Sequence, residues 1–211
     1  ATLRAVQLLG RQFVLGQTID EGMKEAASAR RRQSNLRFSF DMLGEGARTD
    51  KDALRYLASY QDAIETLAAR AQAGEPVEAN DGISIKLSAL HPRYEEAQRE
   101  RVMAELVPRV WRLCERAARA NINLAIDAEE TDRLELSLDV FEALAAQVSR
   151  QHPQWQGFGL ALQPGGCRLL HPWTSTCGPR TSRSTRLVPT CNAWRGMPSS
   201  STGSASANIF R

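Results

Sequence analysis

Lys86 is one of three lysines in a chain that has 24 arginines. It falls in a run, GISIKLSAL at 82–90, whose alternation predicts a β-strand. An ammonium in a strand interior is costly unless a carboxylate answers it. Two later strand-like runs place polar groups on the same inward parity, Asp127 in INLAIDAE (122–129) and Gln163 in GFGLALQ (157–163). Asp41, in an earlier run (LRFSFDML, 36–43), and Glu45, just after it, are further acids that could pair with Lys86. Two chemistries suit a lysine that faces carboxylates. It can hold the carboxylate of a substrate, or it can serve as the Schiff-base nucleophile of a barrel aldolase with Asp127 as acid and base. A purely structural ion pair at a barrel mouth explains the same residues and stays open beside them. Gly44-Glu45-Gly46 is too short to count as a glycine-rich phosphate or dinucleotide loop.

The elements that must position these groups alternate in type. Strand-like runs begin at 36, 82, 122 and 157, and helix-length apolar stripes fill the gaps. Leu54, Leu57, Tyr60, Ile64 and Leu67 form one stripe; Val102, Leu106, Val110 and Leu113 form the next; Leu136, Val140, Phe141 and Leu144 form the third. Thr49 with Asp52 and Asp132 with Glu135 read as helix starts. Strands alternating with helices predict βαβ units and a parallel sheet. Each run is apolar on one face and polar on the other, whereas strands of a doubly wound sheet are apolar on both. The pattern therefore predicts an α/β fold of the (β/α)8 TIM-barrel type, with its polar groups gathered where the strands end. An antiparallel sheet with one solvated face is the alternative, and the helices between strands argue against it. Two helices lead in, one on the stripe Leu3, Val6, Leu9 and Phe13 and one over 19–32. The triplet Arg30-Arg31-Arg32 reads as a solvated helix end whose cations oppose the helix dipole.

Of 211 residues, 42% are hydrophobic and 24% charged, which is ordinary for a globular chain. A net charge of +3 does not indicate a nucleic-acid binder. That average hides a break. Residues 164–211 carry six arginines, no lysine and no acid, together with 14 serines and threonines, five prolines and three of the four cysteines. Residues 1–163 hold one cysteine, Cys114, as a reducing cytoplasm allows. Cys167, Cys177 and Cys191 lack metal-finger spacing, so no zinc site is expected. The reading divides the chain into a helical segment (1–35), about four βα units (36–163) and an irregular basic tail (164–211). The tail fits a binding arm for RNA or membrane, or translation of a shifted reading frame; its abrupt start favours the second. The first residues lack an initiator Met and the apolar core of a signal peptide, and the sequence reads as a piece of a longer chain.

FSFDMLGEGART at 38–49, GISIKLSALHPRYEEAQRERVMAELVPR at 82–109, AIDAEETDRLELSLDVFE at 125–142 and GFGLALQ at 157–163 closely resemble one family, the proline dehydrogenase domain of the bacterial bifunctional proline utilisation A flavoenzymes. The resemblance covers about residues 1–163. It implies a barrel that holds FAD at its mouth and oxidises L-proline to Δ1-pyrroline-5-carboxylate, the reduced flavin passing electrons to quinone at the membrane. It further implies that Lys86 helps hold the proline carboxylate, that Asp127 lies at the floor of the proline site, that Gln163 hydrogen-bonds the flavin and that Glu45 stands near the entrance. These roles set the aldolase reading aside. A cytoplasmic enzyme, peripherally attached to the inner membrane and able to form homo-oligomers, is the corresponding expectation. The resemblance stops at Gln163. The pair of Arg and the Tyr that the family supplies from its last barrel helix are not recognisable after it, so a barrel fragment with no activity alone is the second reading.

Overall fold

The computed structural model describes residues 14–72 and 74–162, and the backbone of two strands beyond them, 185–189 and 204–209. The expected first helix, over residues 3–13, lies outside the described residues. Helix α1 (Ile19–Arg32) starts at Thr18, whose hydroxyl accepts the Glu21 N–H. Its first turn carries Asp20 and Glu21 and its last turn Arg30, Arg31 and Arg32, the order the helix dipole favours. Strand β1 (Arg37–Met42) buries Phe38, Phe40 and Met42 and leaves the alternate side chains partly open. Helix α2 (Asp50–Ala68) opens on a capping box in which the Thr49 hydroxyl accepts the Asp52 N–H and the Asp52 carboxylate accepts the Thr49 N–H.

The chain then alternates as β2 (Gly82–Ile85), a single-turn α3 (Leu87–Leu90), α4 (Arg99–Ala120), β3 (Leu124–Ile126), α5 (Leu134–Gln151), β4 (Phe158–Leu162), β5 (Thr185–Pro189) and β6 (Ser204–Ile209). The strands form one sheet in the order β5-β4-β3-β2-β1-β6, and every neighbouring pair is parallel. Parallel pairing rules out the antiparallel alternative. The core lies between the sheet and the helices. Phe40, Ile83, Ile85, Leu124, Ile126 and Phe158 meet Tyr60, Ile64, Leu106, Leu113 and Val140, all essentially inaccessible. Neighbouring helices also pack on one another, α2 on α4 and α4 on α5.

The expected strand over 82–90 stops at Ile85. Its ladder partners run out there: β1 pairs only through Ser84 and β3 only through Ile85. The apolar run Leu87–Leu90 turns into a helix and is buried all round. A short apolar run has no periodicity that separates strand from buried helix. Lys86 therefore sits just past the strand end rather than mid-strand. The strands expected over 122–129 and 157–163 are likewise shorter than their alternating runs. Asp132 with Glu135 does not cap α5; a 3-10 turn over Thr131–Arg133 precedes it, and Arg133 at its N-cap makes no side-chain capping bond. Within the expected irregular tail, β5 and β6 are regular strands. The four-stranded sheet offers unpaired backbone groups at both edges, and these two segments satisfy them, β5 on β4 and β6 on β1.

Candidate functional site

In parallel strands all C-terminal ends lie on one side, so side chains at those ends converge although they are remote in sequence. Asp41 is next to last in β1, Lys86 follows β2 and Asp127 follows β3. The Lys86 ammonium donates to both oxygens of Asp41, at 2.7 and 2.8 Å, and to Asp127 Oδ2 at 3.0 Å. The three side chains are mostly buried. An ammonium has three N–H donors, so these contacts fill it.

The electrostatics follow from burial and from the ratio of two acids to one cation. Burial works against the Lys86 ammonium, but the charge of Asp127 and the hydrogen bond and charge of Asp41 outweigh it, and its pKa rises. Burial also pushes the Asp127 carboxyl up, with repulsion from Asp41 adding to it; Lys86 and a hydrogen bond from Ser84 pull the other way and do not cancel the rise. The backbone around the cluster is held from three elements. The Lys86 N–H donates to the Tyr60 hydroxyl of α2 at 3.1 Å, and the Ser88 N–H donates to Glu129 Oε1 at 3.0 Å. The loop after β1 is fastened to Ser88, with Gly46 N–H on its hydroxyl at 3.2 Å and Ala47 N–H on its carbonyl at 2.9 Å.

The structure thus brings Lys86 and Asp127 together, and Asp41 is the closer partner. Glu45 lies on the fastened loop, exposed, with no ion pair among the described residues. Gln163 lies outside the described residues. Glu129, the last residue of the run 122–129, shares the parity of Asp127, but nothing in the sequence signals its bond to Ser88. Tyr60 reads as a core position of the α2 stripe, and nothing in that periodicity announces a hydroxyl set against Lys86. Among the described residues no group of His, Cys, Asp and Glu is arranged for a metal ion, and no helix is long and apolar enough to cross a membrane.

Comparison with known proteins gives a consistent result. A family model described as proline dehydrogenase matches residues 23–164. The bifunctional protein PutA of Escherichia coli (strain K12) is 47% identical over 159 residues, which is 75% of this chain and 12% of that protein. PutA of Rhizobium meliloti is 44% identical over 164 residues, 78% of this chain and 13% of that protein. The crystal structure of a Bradyrhizobium japonicum proline utilization A mutant superposes with a TM-score of 0.69 at 39% identity, over 86% of this chain and 18% of that one. Proline utilization A from Bdellovibrio bacteriovorus, inactivated by N-propargylglycine, gives 0.74 at 19% identity over 89% of this chain and 20% of that one, a likeness of fold. The chain thus spans about an eighth of the length of the curated relatives it matches.

Proposed function

Since this chain belongs to the proline dehydrogenase family, we propose that it carries the substrate-anchoring part of a TIM-barrel-like enzyme that oxidises L-proline to Δ1-pyrroline-5-carboxylate. The observation that supports it is the Lys86–Asp127 pair at 3.0 Å, at the C-terminal end of the strands. Proline is a zwitterion, and a cation beside an anion complements it. The proline carboxylate takes the Lys86 N–H now given to Asp127, and the released Asp127 carboxylate faces the ring ammonium. Asp41 stays on Lys86 and keeps it protonated throughout. Charge-assisted hydrogen bonds of this kind are worth roughly 1.5–3 kcal/mol each. Glu45 stands at the entrance in this reading.

FAD is the oxidant the family implies, and a bound flavin would supply the hydride acceptor for proline oxidation. The described residues around Lys86 do not fit its diphosphate: two aspartates fill the ammonium and leave it no donor for a phosphate. The flavin contact proposed for Gln163 would come from beyond them, as would transfer to quinone at the inner membrane. No step is therefore drawn through the flavin. The same observation favours a second reading, that the chain as given anchors proline without oxidising it.

Purified chain, L-proline, added FAD and a dye acceptor test both readings. The expected result is saturable proline binding that Lys86→Met abolishes, with no yellow flavin retained and dye reduction below a tenth of that of an intact family member. Proline binding unaffected by Lys86→Met overturns the first reading, and turnover comparable to the intact enzyme overturns the second.

A further inference from the structure

At the opposite end of the sheet, before β1 and β2 begin, a half-open cavity of about 370 Å³ is lined by Arg30 of α1, Arg37 at the start of β1, Arg70 after α2 and Asp81 before β2. Its apolar wall includes Met23 and Leu67, both buried. The lining itself holds three guanidiniums and one carboxylate, an excess of positive charge that Asp20, 3.7 Å from Arg70, offsets only in part. Part of this cluster holds the fold together. Arg30 pairs with Asp81 and donates from Nε to the Leu36 carbonyl at 3.1 Å. Arg37 donates from Nε to the Ala79 carbonyl at 2.5 Å and from Nη1 to the Ser34 and Leu36 carbonyls at 3.3 and 2.9 Å.

Carbonyls satisfy donors but do not neutralise charge, and a charge withdrawn from water calls for a counter-charge. Asp81 supplies one, already shared between Arg30 and the Phe38 N–H at 2.9 Å. Among the described residues, Arg30 Nη1 and Arg37 Nη2 donate no hydrogen bond, although the face of the Arg30 guanidinium lies over the Phe38 ring. Arg70 reaches Asp20 only at 3.7 Å and is half exposed. Planar guanidinium edges fit the paired oxygens of carboxylate and phosphate, and the volume lies within the usual range of small-molecule sites.

We propose that this cavity is a binding site for a small oxyanion, a carboxylate or phosphate group carried on a short apolar body that lies against Met23 and Leu67. It is separate from the proposed proline site and independent of it. The test is titration of the isotope-labelled full chain with inorganic phosphate, with butanoate and with neutral butanamide, followed by amide chemical shifts. Saturable shifts at residues 30–37, 70–72 and 79–81 with either anion are expected, weakening at least fivefold in Arg70→Ala and vanishing in Gln72→Glu, which adds a carboxylate to the lining. Both residues are exposed, so both variants should fold. A preference for butanoate assigns a carboxylate and a preference for phosphate a phosphoryl group. No saturable shift with either anion, equal shifts with butanamide, shifts confined to residues 41, 86 and 127, or anion binding unchanged in both variants would overturn the site.

Discussion

The two ends of strands β1 and β2 carry charged clusters of opposite composition. At the C-terminal end one lysine meets two aspartates; at the N-terminal end Arg30 pairs with Asp81 beside a cavity that Arg37 and Arg70 also line. The partners differ as much as the charges. The Lys86 ammonium is held by side chains alone, whereas Arg37 is fixed to main-chain carbonyls and Arg30 to a carbonyl as well as to Asp81. Side-chain partners can be exchanged for a ligand without disturbing a backbone. Carbonyl partners cannot, because they belong to the segments that lead into the strands. The first end is suited to rearrange around a guest, and the second staples α1, β1 and the turn before β2 while leaving spare donors facing a cavity. In parallel barrels, chemistry gathers at the first end and stability at the second.

The largest expected effect that tests this contrast is Lys86→Met. It leaves Asp41 and Asp127 facing each other without a cation, and removing one member of a buried pair costs about 3–5 kcal/mol. Urea unfolding should show the loss at neutral pH, and a cost under about 1 kcal/mol, the range of an exposed pair, would mean that solvent screens the cluster. Asp81→Ala should cost less, about 2 kcal/mol, since it orphans the partly buried Arg30 charge and the Phe38 N–H. If it proves as costly as Lys86→Met, the contrast between side-chain and carbonyl anchoring fails, because the carbonyl bonds of Arg30 should soften the loss.

The smallest effect is Asp127→Asn, about 1 kcal/mol or less at neutral pH, because the amide oxygen can still accept from Lys86. Its signature lies in the pH dependence. Burial raises the Asp127 carboxyl above its ordinary value in the folded state. Between the ordinary and the raised value the folded chain binds more protons than the unfolded one, so this group adds stability as pH falls through that window and withdraws it as pH rises. The difference in stability between wild type and Asp127→Asn should therefore shift toward wild type on acidification. A pH-independent difference would remove Asp127 from the coupled cluster. Lys86 follows the same sign in a higher window: its raised pKa keeps its contribution present below the ordinary lysine value, and it is lost as pH climbs through the raised one.

Much of this architecture is visible in the residue order. The alternation of Phe38, Phe40 and Met42 with polar neighbours marks a strand with one buried face, and the pairing of Thr49 with Asp52 marks the start of α2. These are local effects, decided within a few residues by sterics and short-range hydrogen bonds. Residue order says less where an element's extent depends on its neighbours. The run 82–90 looks like one strand, yet it changes to helix after Ile85 because the flanking strands no longer offer partners. The tail shows no apolar period, yet two of its segments pair with the sheet through backbone groups that any sequence carries.

The sequence by itself determined that strands and helices alternate, which strand face is apolar, and that Lys86 needs an acid. Tertiary structure alone decided which acid. Asp41 is 45 residues before Lys86 and Asp127 is 41 after it, and only the parallel register brings both to one ammonium. The Tyr60 hydroxyl against the Lys86 N–H, and the three arginines around one cavity, have the same origin. Local chain chemistry sets which side chains point which way. The order and offset of hydrogen-bonded strands set which of them meet, and no short window of sequence contains that information.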